Sequence, residues 1–197
     1  MKSAYNKIAS SYRSTRTSDS EDVQLLRLLV ERLPARAVVF DAGCGSGYPV
    51  MEALARSFQV TGMDFAKAQL LLAKRTIPDA GFILGDITDF ALRDFAFDAI
   101  CSYCAIIHVP RSEHSKLLAE FHRVLKPGGL ALLCMGLGDL PRDDSDWLGA
   151  RMYWSHYDDK TNLRMMTQSG FDIVWSKTVE DPIDPPAAHL FVLGQKT

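Results

Sequence analysis

Asp41-Ala42-Gly43-Cys44-Gly45-Ser46-Gly47 carries the densest chemical signal in the chain. It follows a short apolar, β-branched run, Ala37-Val38-Val39-Phe40, and precedes an amphipathic stretch from Pro49 to Ser57, so it reads as a turn between strand and helix. In that position glycines let the backbone approach a ligand closely. Asp64 ends the next strand, seventeen residues after Gly47. That is near the spacing of about 20 residues at which a carboxylate accepts from ribose hydroxyls. Strand, turn, helix, strand and acid together point to a nucleoside-type ligand. The glycines fall as G-x-G-x-G rather than the dinucleotide G-x-G-x-x-G, and Asp41 stands just before them. Asp41 would repel a pyrophosphate but attract a ligand bearing an ammonium and a sulfonium, which disfavours NAD.

The elements that must hold these residues alternate. Strands are expected at 37–40, 59–63, 81–84, 97–102 and 130–135, with helices at 49–57, 66–75 and 112–125. Near-continuous apolar strands between helices predict an α/β fold with a doubly wound, mostly parallel sheet. Ahead of it, Tyr5, Ile8 and Tyr12 share one face of a short helix within residues 1–18. Ser18-Asp19-Ser20-Glu21 has capping-box form and opens a surface helix over 20–33. The alternation stops at 136–157, which reads as an irregular appendage. A helix at 159–168 and strands at 171–179 and 188–194 close the chain, and the short Pro-rich turn between these strands makes them antiparallel.

With 197 residues and 47% hydrophobic content, the chain is expected to form one domain with at most a small appendage. A net charge of −2 lacks the basic excess of a nucleic-acid binder. Four cysteines embedded in apolar runs suit a reducing compartment, and a cytoplasmic location is expected. No signal peptide is legible, and the longest near-apolar stretch, 99–109, falls short of the ~18 residues that span a bilayer. Oligomeric state is not legible.

DAGCGSG resembles the first motif of the class I S-adenosylmethionine-dependent methyltransferases, and further motifs follow in that family's order. Tyr5 to Tyr12 resembles its cofactor-closing helix, Gly62-Met63-Asp64-Phe65 its ribose-binding acid motif, and Gly85-Asp86-Ile87 its adenine-binding motif. Phe97 to Tyr103 running into Ile107-His108-Val109 resembles strand four and its loop, and Leu125-Lys126-Pro127-Gly128-Gly129 the turn before strand five. The resemblance implies a Rossmann-like sheet of seven strands, six parallel and one antiparallel, with an insertion after strand five. It implies S-adenosylmethionine as cofactor and S-adenosylhomocysteine as product. The backbone at Gly43, Cys44 and Gly45 would lie against the methionine part, with Asp41 and Gly47 also among the cofactor-binding residues and Tyr103 beside the ammonium. Asp64 would hold the ribose, Phe65 would pack on adenine, Asp86 and Ile87 would contact the adenine edge and face, and Tyr5 and Tyr12 would cover the site as a lid. The implied activity is methyl transfer to an oxygen, nitrogen or carbon of a small molecule. The alternative is a protein that binds this cofactor without transferring its methyl group.

Methyl transfer needs alignment and water exclusion more than a strong acid, although a base helps where the nucleophile carries a proton. His108, after strand four, and His156, in the appendage, are the candidate bases, each with a structural hydrogen-bonding or packing role as the alternative. His114, His122 and His189 are assigned to solvent or packing. Trp147, Met152, Tyr153 and Trp154 read as the wall of an apolar acceptor pocket within 136–157, or as anchors of that segment. Asp139, Asp143, Asp144 and Asp146 read as a solvated loop and Cys101-x-x-Cys104 as packing, so no metal is expected.

Overall fold

The computed structural model describes residues 1–197. Five parallel strands, β1 (Val38–Ala42), β2 (Gln59–Asp64), β3 (Gly81–Leu84), β4 (Phe97–Ser102) and β5 (Leu125–Gly136), join β8 (Phe171–Glu180) and β9 (Ala188–Lys196) in one sheet. The order is β3-β2-β1-β4-β5-β9-β8. β9 runs antiparallel to both neighbours, which leaves six strands parallel and one reversed, as expected. Side-chain alternation divides the core between the two faces. Val39, Ala99, Cys101, Leu132 and Cys134 pack on one side, and Phe40, Ile100, Ala131, Leu133 and Met135 on the other.

One face is covered by α2 (Glu21–Gln24), α3 (Leu26–Val30) and α4 (Val50–Ala55), and the other by α6 (His114–Val124) and α7 (Asp159–Gln168). α5 (Lys67–Thr76) follows β2. The helix expected over 20–33 is broken at Leu25 and starts from Ser20, without a side-chain cap. The break accompanies burial of Asp22, which Arg16 and the Tyr103 hydroxyl hold from two sides. No helix is long and apolar enough to cross a membrane.

The segment 136–157 is regular, contrary to expectation. It forms a two-stranded hairpin, β6 (Leu140–Trp147) and β7 (Ala150–His156), turning through Leu148 and Gly149, both at positive φ. Of its acidic side chains, Asp143 and Asp146 line a cavity, contrary to the solvated loop expected, whereas Asp139 pairs with Arg111 and Asp144 with Arg142. α1 (Lys2–Thr15) lies against α5 and β7. There Tyr5, Ile8, Ala66, Ala150 and Met152 form a third, small apolar cluster.

Candidate active site

Three of the turn's residues, Gly43, Gly45 and Gly47, have positive φ. At Gly43 a side chain is also excluded by space, because an added Cβ would collide with the Ala105 methyl after β4. The N–H groups of Gly43 and Cys44 both donate to the Met63 carbonyl, at 2.8 and 2.9 Å. Gly45 N–H donates to Asp64 Oδ2 at 2.9 Å, and Ala66 N–H to Oδ1 at 2.8 Å. The turn therefore spends its donors inside the protein, locking the ends of β1 and β2 together, and offers a ligand the bare faces of Gly43 and Gly45. Gly47 packs against Ala73 of α5 and Ile77 just beyond it, and Cys44 lines a small cavity with Gly45 and Ser46 while its side chain packs against Gly62.

Asp41 and Asp64 are 2% and 6% exposed. No hydrogen-bond donor or cation acts on Asp41; burial, and then the Asp64 charge, push its carboxyl up to about 7. Burial also raises Asp64, to about 6, against the opposing pull of the Ala66 and Gly45 N–H groups. Asp64 lines a 210 Å³ cavity with Phe65, Asp86, Ile87, Tyr103 and the two bare glycines, and Asp41 lines its continuation beside Ser46. Asp86 is preset by the N–H and hydroxyl of Thr88, both donating to its Oδ1. Tyr103 lines this cavity, but its hydroxyl points away, donating to the Asp22 carbonyl at 3.1 Å.

A second cavity, of 340 Å³, shares Tyr5, Tyr12, Cys104 and His108 with the first. That volume is in the range of small-molecule sites. Trp147, Trp154 and His156 from the hairpin form one part of its lining, and Arg16, Asp181 and His189 another. Period-two alternation along β7 decides which aromatics reach it. Met152 shares the inward face with Trp154 but is buried beneath α1, 1% exposed, and Tyr153 faces outward beneath Arg142. Both therefore lie outside the cavity wall where the sequence reading placed them, and Tyr153 contributes only its backbone.

His108 is committed on both ring nitrogens. Nδ1 lies 2.7 Å from the Tyr153 carbonyl, which can only accept, so Nδ1 carries the proton. Nε2 then accepts from the Tyr5 hydroxyl at 2.7 Å. Burial pushes this imidazole down to about 4, so it is neutral and weakly basic. His156 likewise donates from Nδ1, to the Gly138 carbonyl at 2.6 Å, but Nε2 has no partner. The sequence reading missed His189. Its Nε2 donates to Asp181 Oδ2 at 2.8 Å, and Asp181 is itself oriented by the Ile183 and Asp184 N–H groups. Burial works against the His189 charge, but the Asp181 carboxylate outweighs it and holds the pKa above 6.5. The spacing Asp181-x7-His189 is visible in sequence, but only the β8–β9 turn, which puts Val179 opposite His189, brings the pair together.

Comparisons with known proteins agree with this geometry. A methyltransferase domain family model matches residues 40–133. Trans-aconitate 2-methyltransferase of Variovorax paradoxus is 38% identical over 106 residues, 52% of this chain and 40% of that protein. The malonyl-[acyl-carrier protein] O-methyltransferase of Serratia marcescens is 30% identical over 146 residues, 74% of this chain and 56% of that protein. The chain thus spans about half the length of these two relatives. In fold, the Burkholderia thailandensis 1,6-didemethyltoxoflavin-N1-methyltransferase, solved with bound 1,6-didemethyltoxoflavin and S-adenosylhomocysteine, superposes with a TM-score of 0.74 at 20% identity. It covers 99% of this chain and 84% of that one. Sheet order, glycine turn, paired carboxylates and these likenesses converge: residues 40–133 match a methyltransferase domain family, on a fold shared with solved S-adenosylmethionine-dependent methyltransferases.

Proposed function

We propose that the protein transfers the methyl group of S-adenosylmethionine to an oxygen, nitrogen or carbon of a small molecule held in the second cavity. The observation that carries this is Asp41, a buried carboxylate with no cation or donor, in the continuation of a cavity whose opposite acid, Asp64, is already oriented by two N–H groups. A ligand ammonium relieves the first, and ribose hydroxyls use the remaining lone pairs of the second. When bound, the cofactor supplies a methyl carbon activated by a sulfonium. Phe65 and Ile87 offer apolar surface to adenine, and Asp86 an acceptor.

The four residues common to both cavities stand where methyl donor and acceptor would meet. α1 excludes water there, and His108 acts as a positioning residue that fixes the Tyr5 hydroxyl. Where the acceptor must lose a proton, Nε2 of His156 is the uncommitted base. Trp147 and Trp154 give the acceptor an aromatic wall. Calorimetric titration with S-adenosylmethionine and S-adenosylhomocysteine tests this reading. Micromolar binding that is lost in Asp64→Ala, followed by S-adenosylhomocysteine release with small-molecule acceptors, is expected. Binding of neither ligand to the wild type overturns the proposal.

A further inference from the structure

Three of the four cysteines, Cys44, Cys101 and Cys134, are buried, and burial pushes each thiol up. Cys104 differs in every respect. It is partly exposed, at positive φ just beyond β4, and it lines both cavities where they meet. Its neighbour is not Cys101 of the C-x-x-C spacing. Strand alternation buries Cys101 in the sheet, whereas pairing of Ser102 with Leu133 brings the ends of β4 and β5 together and sets Cys104 Sγ 3.7 Å from Cys134 Sγ.

We propose that Cys104 is a modification site for small hydroperoxides, with Cys134 as the resolving thiol that converts the oxidised residue to a disulfide. A disulfide needs sulfurs at about 2.05 Å, so closure is about 1.7 Å, within reach of a side-chain rotation at a residue outside regular structure. The groups around Cys104 suit a thiolate. The Cys134 S–H donates to it, and the cations of Arg16 and His189 outweigh the Asp181 carboxylate, so that its pKa is lowered despite burial. The cavities give a molecule as small as hydrogen peroxide access to the sulfur.

In the first step the Cys104 thiolate attacks one peroxide oxygen; an S–O bond forms, the O–O bond breaks, and hydroxide leaves and is protonated to water. In the second, Cys134 sulfur attacks the Cys104 sulfenic acid; the S–S bond forms, the S–O bond breaks, and the hydroxyl departs as water with the Cys134 proton. Two thiols are oxidised to one disulfide, and one peroxide is reduced to two waters.

The test is a time course of the reduced full-length protein with near-stoichiometric hydrogen peroxide, read by intact mass and non-reducing peptide mapping. The expected product has lost two hydrogens, carries a Cys104–Cys134 bridge, leaves Cys44 and Cys101 reduced, and reverts with dithiothreitol. Cys134→Ser should accumulate a Cys104 sulfenic acid that dimedone captures, and Cys104→Ser should form neither product. A wild type that goes to sulfinic acid at Cys104 without a bridge removes Cys134 as partner. One that oxidises Cys44 or Cys101 as fast as Cys104, or does not react, overturns the site. These readouts need no cofactor or acceptor, so they stand apart from the methyl-transfer reading.

Discussion

Asp41→Asn separates what this carboxylate costs the fold from what it contributes to binding. Asp41 moves from an ordinary 3.8 to about 7 on folding, and it is 2% exposed. At about 1.4 kcal/mol per pH unit, ionising it inside the ligand-free protein costs about 4 kcal/mol. The folded carboxyl holds its proton more tightly than the unfolded one, so between pH 4 and 7 the folded state binds more protons and stability falls as pH rises. The asparagine variant lacks this slope. Ligand-free and at pH 8, it should therefore unfold in denaturant at a higher midpoint than the wild type, with an unfolding free energy greater by a few kcal/mol. Binding should respond in the opposite sense. With a value near 7, about one Asp41 in eleven is ionised at pH 6 and about ten in eleven at pH 8, so S-adenosylhomocysteine affinity should rise about tenfold across that interval. Calorimetry at pH 6, 7 and 8 reads this directly, and the variant should bind more weakly with little slope. Asp64→Asn is the control, because its carboxyl is near 6 and it should lose affinity while most of the slope persists. An equal slope in the wild type and Asp41→Asn would refute the assignment of Asp41 to a cationic ligand.

Other perturbations address the frame around the site. Gly43→Ala must place a Cβ at positive φ against the Ala105 methyl, so loss of S-adenosylhomocysteine binding in calorimetry and a destabilisation above about 1 kcal/mol in denaturant unfolding are expected. Arg16→Met leaves Asp22 charged and alone in a pair whose side chains are 4% and 2% exposed, and should cost about 3–5 kcal/mol in the same assay. Arg16→Met with Asp22→Leu should recover most of that loss. Asp181→Asn should lower the His189 pKa in an NMR titration. The folded values lie above 6.5 for His189 and below 3.8 for Asp181, so the pair's stabilisation is complete between those pH values. It should fade as pH rises through the first or falls through the second, and the variant should flatten both flanks.

The sheet was readable because its signals are local. β3, β4 and α7 fall on their expected boundaries, since a short apolar run in β3 and β4, and an amphipathic stretch opened by the Asp158 cap in α7, define them without help from the rest of the chain. The hairpin was not readable, because Pro141, Arg142, Asp143 and Asp144 give β6 no apolar alternation; it exists by pairing with β7. The same distinction holds at the site. Gly43, Asp64 and Asp86 lie at strand ends, where topology dictates their neighbours. The commitment of His108, the retreat of Met152 beneath α1 and the Asp181–His189 pair depend on contacts between distant segments. Sequence spacing marks a histidine as available, but only its partners decide which nitrogen is free.

The third apolar cluster, beneath α1 and the hairpin, includes none of the residues that form the two sheet-face cores. It has its own ties, including Lys7 Nζ donating to the Gly149 carbonyl and the Tyr12 and Trp147 rings 5.6 Å apart. A cover built this way is a tenant of the sheet rather than a beam within it. Substitutions in α1 or the hairpin can accumulate with little loss of global stability, so a lineage could retool what the second cavity holds while the glycine turn and its two acids stay fixed. The same independence gives the cover its own, lower opening free energy, so its amides should exchange with solvent well ahead of those in β1, β4 and β5.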